Sequence, residues 1–210
     1  MTDSPPASSR RHGAASILRR LGAQAIGCTA CPLWRDATQT VFGEGDGAST
    51  VMFVGEQPGD VEDRTGRPFV GPAGRVLDRA LEAAGLDRRA VYLTNAVKHF
   101  KWTPRGKRRL HKTPAQREIE ACKRWLDGEL AALAPALVVC LGATAARAIV
   151  GPGARVAALR GRIIERERSP AVLVTVHPSF VLRLDGAEQD SAFAGLVADL
   201  RLAARFVARG

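Results

Sequence analysis

The chain has 210 residues, 46% hydrophobic and 25% charged, and its 31 Lys+Arg outnumber 21 Asp+Glu for a net charge of +10. That is about one domain's length with ordinary globular composition, and no apolar run approaches the ~20 residues a transmembrane helix needs. The N-terminal MTDSPPASSRRHGAAS lacks the apolar core of a signal peptide, so the expected location is cytoplasmic and intracellular.

Residues 1–12 read as a disordered tail and 13–210 as a single domain. A first helix is expected over 14–26. TVMFVG, 50–55, is a short apolar run ending in glycine, hence a buried strand. A turn-rich loop, GEQPGDVEDRTGRPFVGP, follows it. AGRVLDRALEAAG, 73–85, then puts Val76, Leu77, Ala80, Leu81 and Ala84 on one helical face. VYLTNAV is a second strand, running into a basic loop. Thr113 and Pro114 supply an N-cap and a first-turn proline for a helix that carries Cys122.

ALVVCLG is a third strand, with the small-residue helix ATAARAIV after it. RIIERERSP reads as an edge strand or hairpin arm, AVLVTV as a strand and HPSFVLR as a turn entering a helix. Residues 189–208 form a C-terminal helix. Strands separated by helices predict a parallel sheet covered on both faces, with ligands at the carboxyl ends of its strands. Three marked segments follow strand ends: GEQPGD, the basic loop and HPSF. They therefore converge on one rim.

The positive charge is concentrated. KHFKWTPRGKRRLHKTPAQR, 98–117, holds eight Lys or Arg and no acidic residue, with Phe100 and Trp102 among them. Counterion release favours a polyanion and interleaved aromatics suit bases, so nucleic acid is the expected partner. The four cysteines are Cys28, Cys31, Cys122 and Cys140. In a reducing compartment a CxxC pair with two more cysteines suggests a metal site before disulfides, and a four-thiolate set serves zinc or an iron–sulfur cluster. The gap from Cys31 to Cys122 matches no zinc ribbon. The alternative is that Cys122 and Cys140 are buried core thiols.

GEQPGDVEDRTGRPFVGPAGR, NAVK, HPSFVLR and the four cysteines resemble the uracil-DNA glycosylase superfamily, in its iron–sulfur branch around family 4. The resemblance runs from about Cys28 to the C-terminal helix. It implies a three-layer α/β/α sandwich with a central four-stranded parallel sheet, and a structural [4Fe–4S] cluster on Cys28, Cys31, Cys122 and Cys140. The insertion TPRGKRRLHK, with glutamine after GE in GEQPGD, is similar to the type X branch. Members of that branch excise uracil and stay covalently attached to the DNA through the loop histidine. Leu110 stands where the type X pattern has isoleucine before that histidine, a conservative departure.

The resemblance implies these roles. His111 attacks C1′ of the deoxyribose, Glu56 assists, and Asp60, Asp63 and Arg109 position the histidine loop. His177 donates a hydrogen bond to the departing base, Asn95 reads the uracil edge and Phe69 stacks on the flipped base. Gly55 to Gly59 and the Gln57 side chain line the uracil pocket, with Gln57 also counted in the catalytic set. Lys107, Arg108, Arg109 and Lys112 hold phosphates. Physically, Arg109 and Lys112 beside His111 are expected to disfavour its protonation and keep it a competent nucleophile. No role is expected for His12 or His99, nor for the three tryptophans.

The expected activity is uracil excision with covalent capture through His111, on uracil-containing DNA, single-stranded in preference. The expected protein is a nucleoid-associated monomer with no membrane partner. Two alternatives share parts of the pattern: a multiple-turnover family 4 enzyme that releases uracil and an abasic site, and a non-catalytic, metal-stapled single-strand-binding protein.

Overall fold

The computed structural model describes residues 7–167 and 170–209. Strand β1 (Val51–Gly55) is central. It pairs in parallel with β2 (Tyr92–Asn95) on one side and β5 (Leu137–Leu141) on the other, and β7 (Ala171–Thr175) continues the parallel run beyond β5. The two-residue strand β6 (Ile163–Ile164) closes that edge antiparallel to β7. The sheet order is thus β2-β1-β5-β7-β6 among the described residues. The four parallel strands are as expected, and RIIERERSP supplies the edge strand as a fifth member.

Alternation along each strand sorts the core into two layers. Val51, Phe53, Leu137, Val139, Leu141 and Leu173 face α3 (Pro72–Ala84) and α8 (Gly186–Val207). Met52, Val54, Val138, Cys140, Val172 and Val174 face α1 (Ala7–Ala25), α4 (Gln116–Leu133) and α5 (Gly142–Ile149). Every residue of β1, β5 and β7 is buried, the mark of a sheet covered on both faces. The result is a three-layer α/β/α sandwich. Shorter helices complete it: α2 (Asp60–Thr65), α6 (Val156–Leu159) and α7 (Pro178–Val181).

Three expectations change. Helix α1 begins at Ala7, so the boundary placed after residue 12 falls inside a helix, while residues 1–6 of the expected tail lie outside the described residues. Helix α4 begins at Gln116, not at Thr113-Pro114. The Glu118 carboxylate accepts the Ala115 N–H at 2.6 Å, which satisfies the helix start without the Thr113 hydroxyl. Finally, the basic loop is a β-hairpin, β3 (Trp102–Arg105) with β4 (Arg108–His111), which pairs Trp102 with His111. Gly106, at φ +58, allows its two-residue turn.

An ion pair is sealed beneath the rim. Lys98 Nζ lies 2.6 Å from Glu129 Oε2, and the two side chains are 1% and 0% exposed. The ammonium also donates to Thr94 Oγ1 and the Asn95 carbonyl. Glu129 accepts from Tyr92, Thr94 and the Gly43 N–H. Full partnering is what makes two such charges tolerable there, and removing one strands the other. Lys98→Met should lose about 3–5 kcal/mol of unfolding free energy in a urea titration. A loss under about 1 kcal/mol would show that desolvation offsets the pair.

Candidate active site

Strand order reverses at β1. The chain moves from β1 out to β2, then returns across to β5, which opens a crevice at the carboxyl ends of β1 and β5. Gly55 ends β1 at the level of Asn95 in β2. A Cβ at Gly55 would stand 2.4 Å from Asn95 Oδ1 and 2.6 Å from Phe69 Cζ, so only glycine lets those two groups meet over the strand end. Phe69 is held at φ +56, a costly conformation for a bulky residue. Arg88 Nη2 donates to its carbonyl, and Gly74 leaves the space that carbonyl needs.

His177 follows β7, and its ring centroid lies 6.4 Å from that of Phe69. Its Nδ1 accepts the Ser179 N–H at 3.1 Å. The proton of the neutral ring therefore sits on Nε2, which becomes a donor. Burial pushes the His177 pKa down to about 4, with His111 and Arg183 adding to the fall, so the neutral form dominates near neutral pH. Asn95 is buried, and its carbonyl is taken by Lys98. No hydrogen bond to a described residue engages its side-chain amide, which leaves a donor and an acceptor for a ligand.

Beside this recess stand a carboxylate and a second imidazole. Glu56 Oε1 is 3.4 Å from His111 Nε2, and Glu56 Oε2 accepts the Thr144 hydroxyl from the start of α5. Burial lowers the His111 pKa, Glu56 opposes that, and Arg183 reinforces it. The expected causes, Arg109 and Lys112, are not the ones at work. Arg109 is neutralised by Asp60 and Asp63, and the cation that acts on His111 comes from the segment after β7.

Arg109 anchors the hairpin. Its Nε donates to Asp60, its Nη1 to Asp63 at 2.6 Å and to Thr38 at 3.2 Å, and its guanidinium lies over both Phe100 and Trp102. At 13% exposure this side chain is spent inside the protein, so it leaves the expected phosphate-binding set. Against the upward pull of burial, hydrogen bonds from Arg64 and Arg109 hold the Asp60 pKa below its ordinary value. Lys107, Arg108 and Lys112 are exposed and form no ion pair with a described residue. The aromatics expected to meet bases are also occupied: Phe100 is buried, and Trp102 Nε1 donates to the Asp36 carbonyl at 2.9 Å.

Gln57 is corrected as well. Its Nε2 donates to the Lys101 and Lys112 carbonyls, and its Oε1 accepts the Lys101 N–H, all at 3.0–3.1 Å. The amide clasps the base of the hairpin that carries His111, and both its N–H donors are spent there.

Three of the four cysteines come together. Cys28, Cys31 and Cys122 pack in one apolar cluster with Trp125 and Ile119. Trp125 Nε1 donates to Cys28 Sγ and the Lys98 N–H to Cys122 Sγ, each at 3.2 Å. Cys140 lies elsewhere. It is mid-strand in β5 between Val54 and Val174, fully buried in the aliphatic core. Its expected role as a fourth ligand fails because strand alternation aims it into that core, the alternative open from the sequence. Burial pushes the Cys122 thiol up to about 11 and the Cys140 thiol up to about 12. Among the described residues, no three His, Cys, Asp or Glu side chains are arranged to hold a single metal ion. His99, given no role from sequence, stands on the cysteine wall. Its Nε2 is 2.9 Å from Thr40 Oγ1, which in turn donates to the Ala25 carbonyl.

Sequence reasoning missed Thr144, Arg183 and the Lys98–Glu129 pair. NAVK marked Lys98 within a motif, but nothing local marked its partner in α4.

A family model for the uracil DNA glycosylase superfamily matches residues 42–201. The type-4 uracil-DNA glycosylase of Thermotoga maritima is 41% identical over 157 residues, covering 74% of this chain and 78% of that protein. The type-4 enzyme of Archaeoglobus fulgidus is 35% identical over 164 residues, 75% of this chain and 79% of its own length. A type-5 uracil-DNA glycosylase from Pyrobaculum aerophilum is 34% identical over 151 residues, 64% of this chain and 63% of that one.

The low His177 pKa predicts a pH signature. Between its ordinary 6.5 and about 4, the unfolded chain takes up a proton that the folded protein refuses. This group therefore withdraws stability as pH falls through that window and has no such effect above it. His177→Gln should shrink the difference in unfolding free energy between about pH 7 and about pH 5, measured by chemical denaturation. An unchanged difference would mean that His177 protonates freely in the fold.

Proposed function

The chain belongs to the uracil-DNA glycosylase superfamily, and from that premise we propose that it cleaves the N-glycosidic bond of uracil in DNA. The observation that carries this is the recess where Gly55, Phe69, Asn95 and His177 meet, with an unengaged amide and a neutral imidazole donor in its wall. A flipped base stacks on Phe69. The Asn95 amide supplies the donor–acceptor pair that matches uracil's edge and mismatches cytosine's. As the bond breaks, its electron pair leaves with the base, and His177 Nε2–H stabilises the negative charge that develops. The Glu56 carboxylate stands where it faces the cationic sugar.

The similarity to type-4 enzymes supports completion by water, with Glu56 taking its proton and free uracil and an abasic site as products. A second reading rests on the Glu56–His111 contact. One ring nitrogen of His111 bonds to C1′ in place of water while the proton on the other passes to Glu56, and the DNA stays attached. The hairpin anchored by Arg109 and clasped by Gln57 supports it, because a nucleophile must be held still. Lys107, Arg108 and Lys112 would meet flanking phosphates in either case. Single strands are the preferred substrate, since extrusion costs least there.

The cysteines fit an iron–sulfur cluster in part. Cys28, Cys31 and Cys122 would hold it as thiolates, and the two N–H donors on the Cys28 and Cys122 sulfurs suit such ligands. A cluster spreads its ligands over several metal atoms, so they need not close on one ion. Cys140 does not fit. The group is structural, and no step of excision passes through it. Protein purified without oxygen should be brown, Cys140→Ala should keep the visible absorption and Cys28→Ala should lose it. Colourless wild type, or loss in Cys140→Ala, would contradict this.

Mixing the protein with a labelled single strand carrying one uracil, then running a boiled denaturing gel, separates the readings. Strand scission after alkali with no shifted band supports water. A heat-stable shifted band, lost in His111→Ala, supports capture. Neither signal, with uracil and thymine strands bound equally, would leave only a binding protein.

A further inference from the structure

The rim carries one buried polar side chain whose neighbours give it a direction. Thr144, 1% exposed, sits in the first turn of α5, across the crevice from the end of β1. Its Oγ1 contacts Glu56 Oε2 and lies 3.5 Å from Arg147 Nη2. A guanidinium can only donate, so the single hydroxyl proton of Thr144 is committed to Glu56. The order runs Arg147 to Thr144 to Glu56, and the other Glu56 oxygen faces His111. Glutamate is a long side chain with several rotatable bonds, and β1 ends just before it. Thr144 is the one side-chain donor within hydrogen-bonding distance of Oε2 among the described residues.

We propose that Thr144 is a positioning residue for Glu56. Its hydroxyl fixes one carboxylate oxygen at the β1–β5 crevice, so that the other stays aimed at His111 and the reacting sugar. It touches neither base nor sugar itself. Its contribution belongs to the bond-breaking step, where Glu56 must already be in place, and not to uncleaved uracil, which Phe69 and Asn95 hold. This rests on the glycosylase reading of the site and applies whether water or His111 completes the reaction.

Valine matches threonine in shape and lacks the hydroxyl; serine keeps the hydroxyl and lacks the methyl. The single-turnover excision rate would be measured for wild type, Thr144→Val and Thr144→Ser. Affinity would be measured on a strand whose uracil nucleotide carries 2′-fluorine, which resists cleavage, and thermal unfolding would be followed alongside. Thr144→Val should slow excision about 10- to 100-fold, the range expected for a hydrogen bond to a charged group, with affinity within about threefold of wild type. Thr144→Ser should restore the rate to within about threefold. The proposal is overturned if Thr144→Val excises like wild type, if serine is as slow as valine, or if affinity falls as far as rate. If wild type itself excises no uracil, the glycosylase reading fails first and this proposal falls with it.

Discussion

Two opposite charges with almost no access to water, Lys98 and Glu129, sit where the recess and the cysteine cluster back onto each other. The Lys98 ammonium holds the Asn95 carbonyl, and the Lys98 backbone N–H reaches Cys122 Sγ. Glu129 gathers Tyr92 and Thr94 of β2 and the Gly43 N–H beside it. Charges this deep are favourable only when every partner is present. The pair therefore ties the end of β2, Asn95 and α4 into one unit. Burial also raises the Tyr92 pKa, with the Glu129 charge adding to it, so this hydroxyl stays a donor to the carboxylate.

Above that floor the rim divides into a rigid half and an anchored one. Gly55, Phe69, Asn95 and His177 stand on strand ends and on a strained backbone held by Arg88, so the recess is formed before a ligand arrives. Such preorganisation is what charge stabilisation in a transition state requires. His111 instead rides on a two-stranded hairpin, which has little stability of its own. The protein compensates with Arg109 between two carboxylates and two aromatic rings, and with Gln57 across the hairpin base. The most basic stretch of the chain thus spends Arg109 on architecture and leaves Lys107, Arg108 and Lys112 to solvent.

What was legible in the sequence follows from hydrophobic patterning. The unbroken apolar runs TVMFVG, ALVVCLG and AVLVTV specify strands buried on both faces, and the spacing of Val76, Leu77, Ala80 and Leu81 specifies a helix face; all four elements stand in the fold. Position after strand ends brought Glu56 and His177 to one rim. The hairpin was not legible, because its strands are charged and carry no apolar alternation. Cys140 shows the limit from the other side: cysteine count and type suggest a ligand, but alternation within β5 aims the thiol into the aliphatic core, away from Cys122. Gln57 and Thr144 owe their roles to partners 44 or more residues away, which no local pattern reveals.

The central claim is that this rim breaks the bond between uracil and deoxyribose, and release of the base tests it most directly. Excess protein would be incubated with a single-stranded oligonucleotide carrying one uracil, and free bases quantified by chromatography beside thymine and cytosine controls. One equivalent of uracil per strand, no base from either control, and strong loss in Asn95→Ala are the predicted results, whatever the later fate of the DNA. Binding without release of uracil, or release of cytosine at a similar rate, would contradict the assignment.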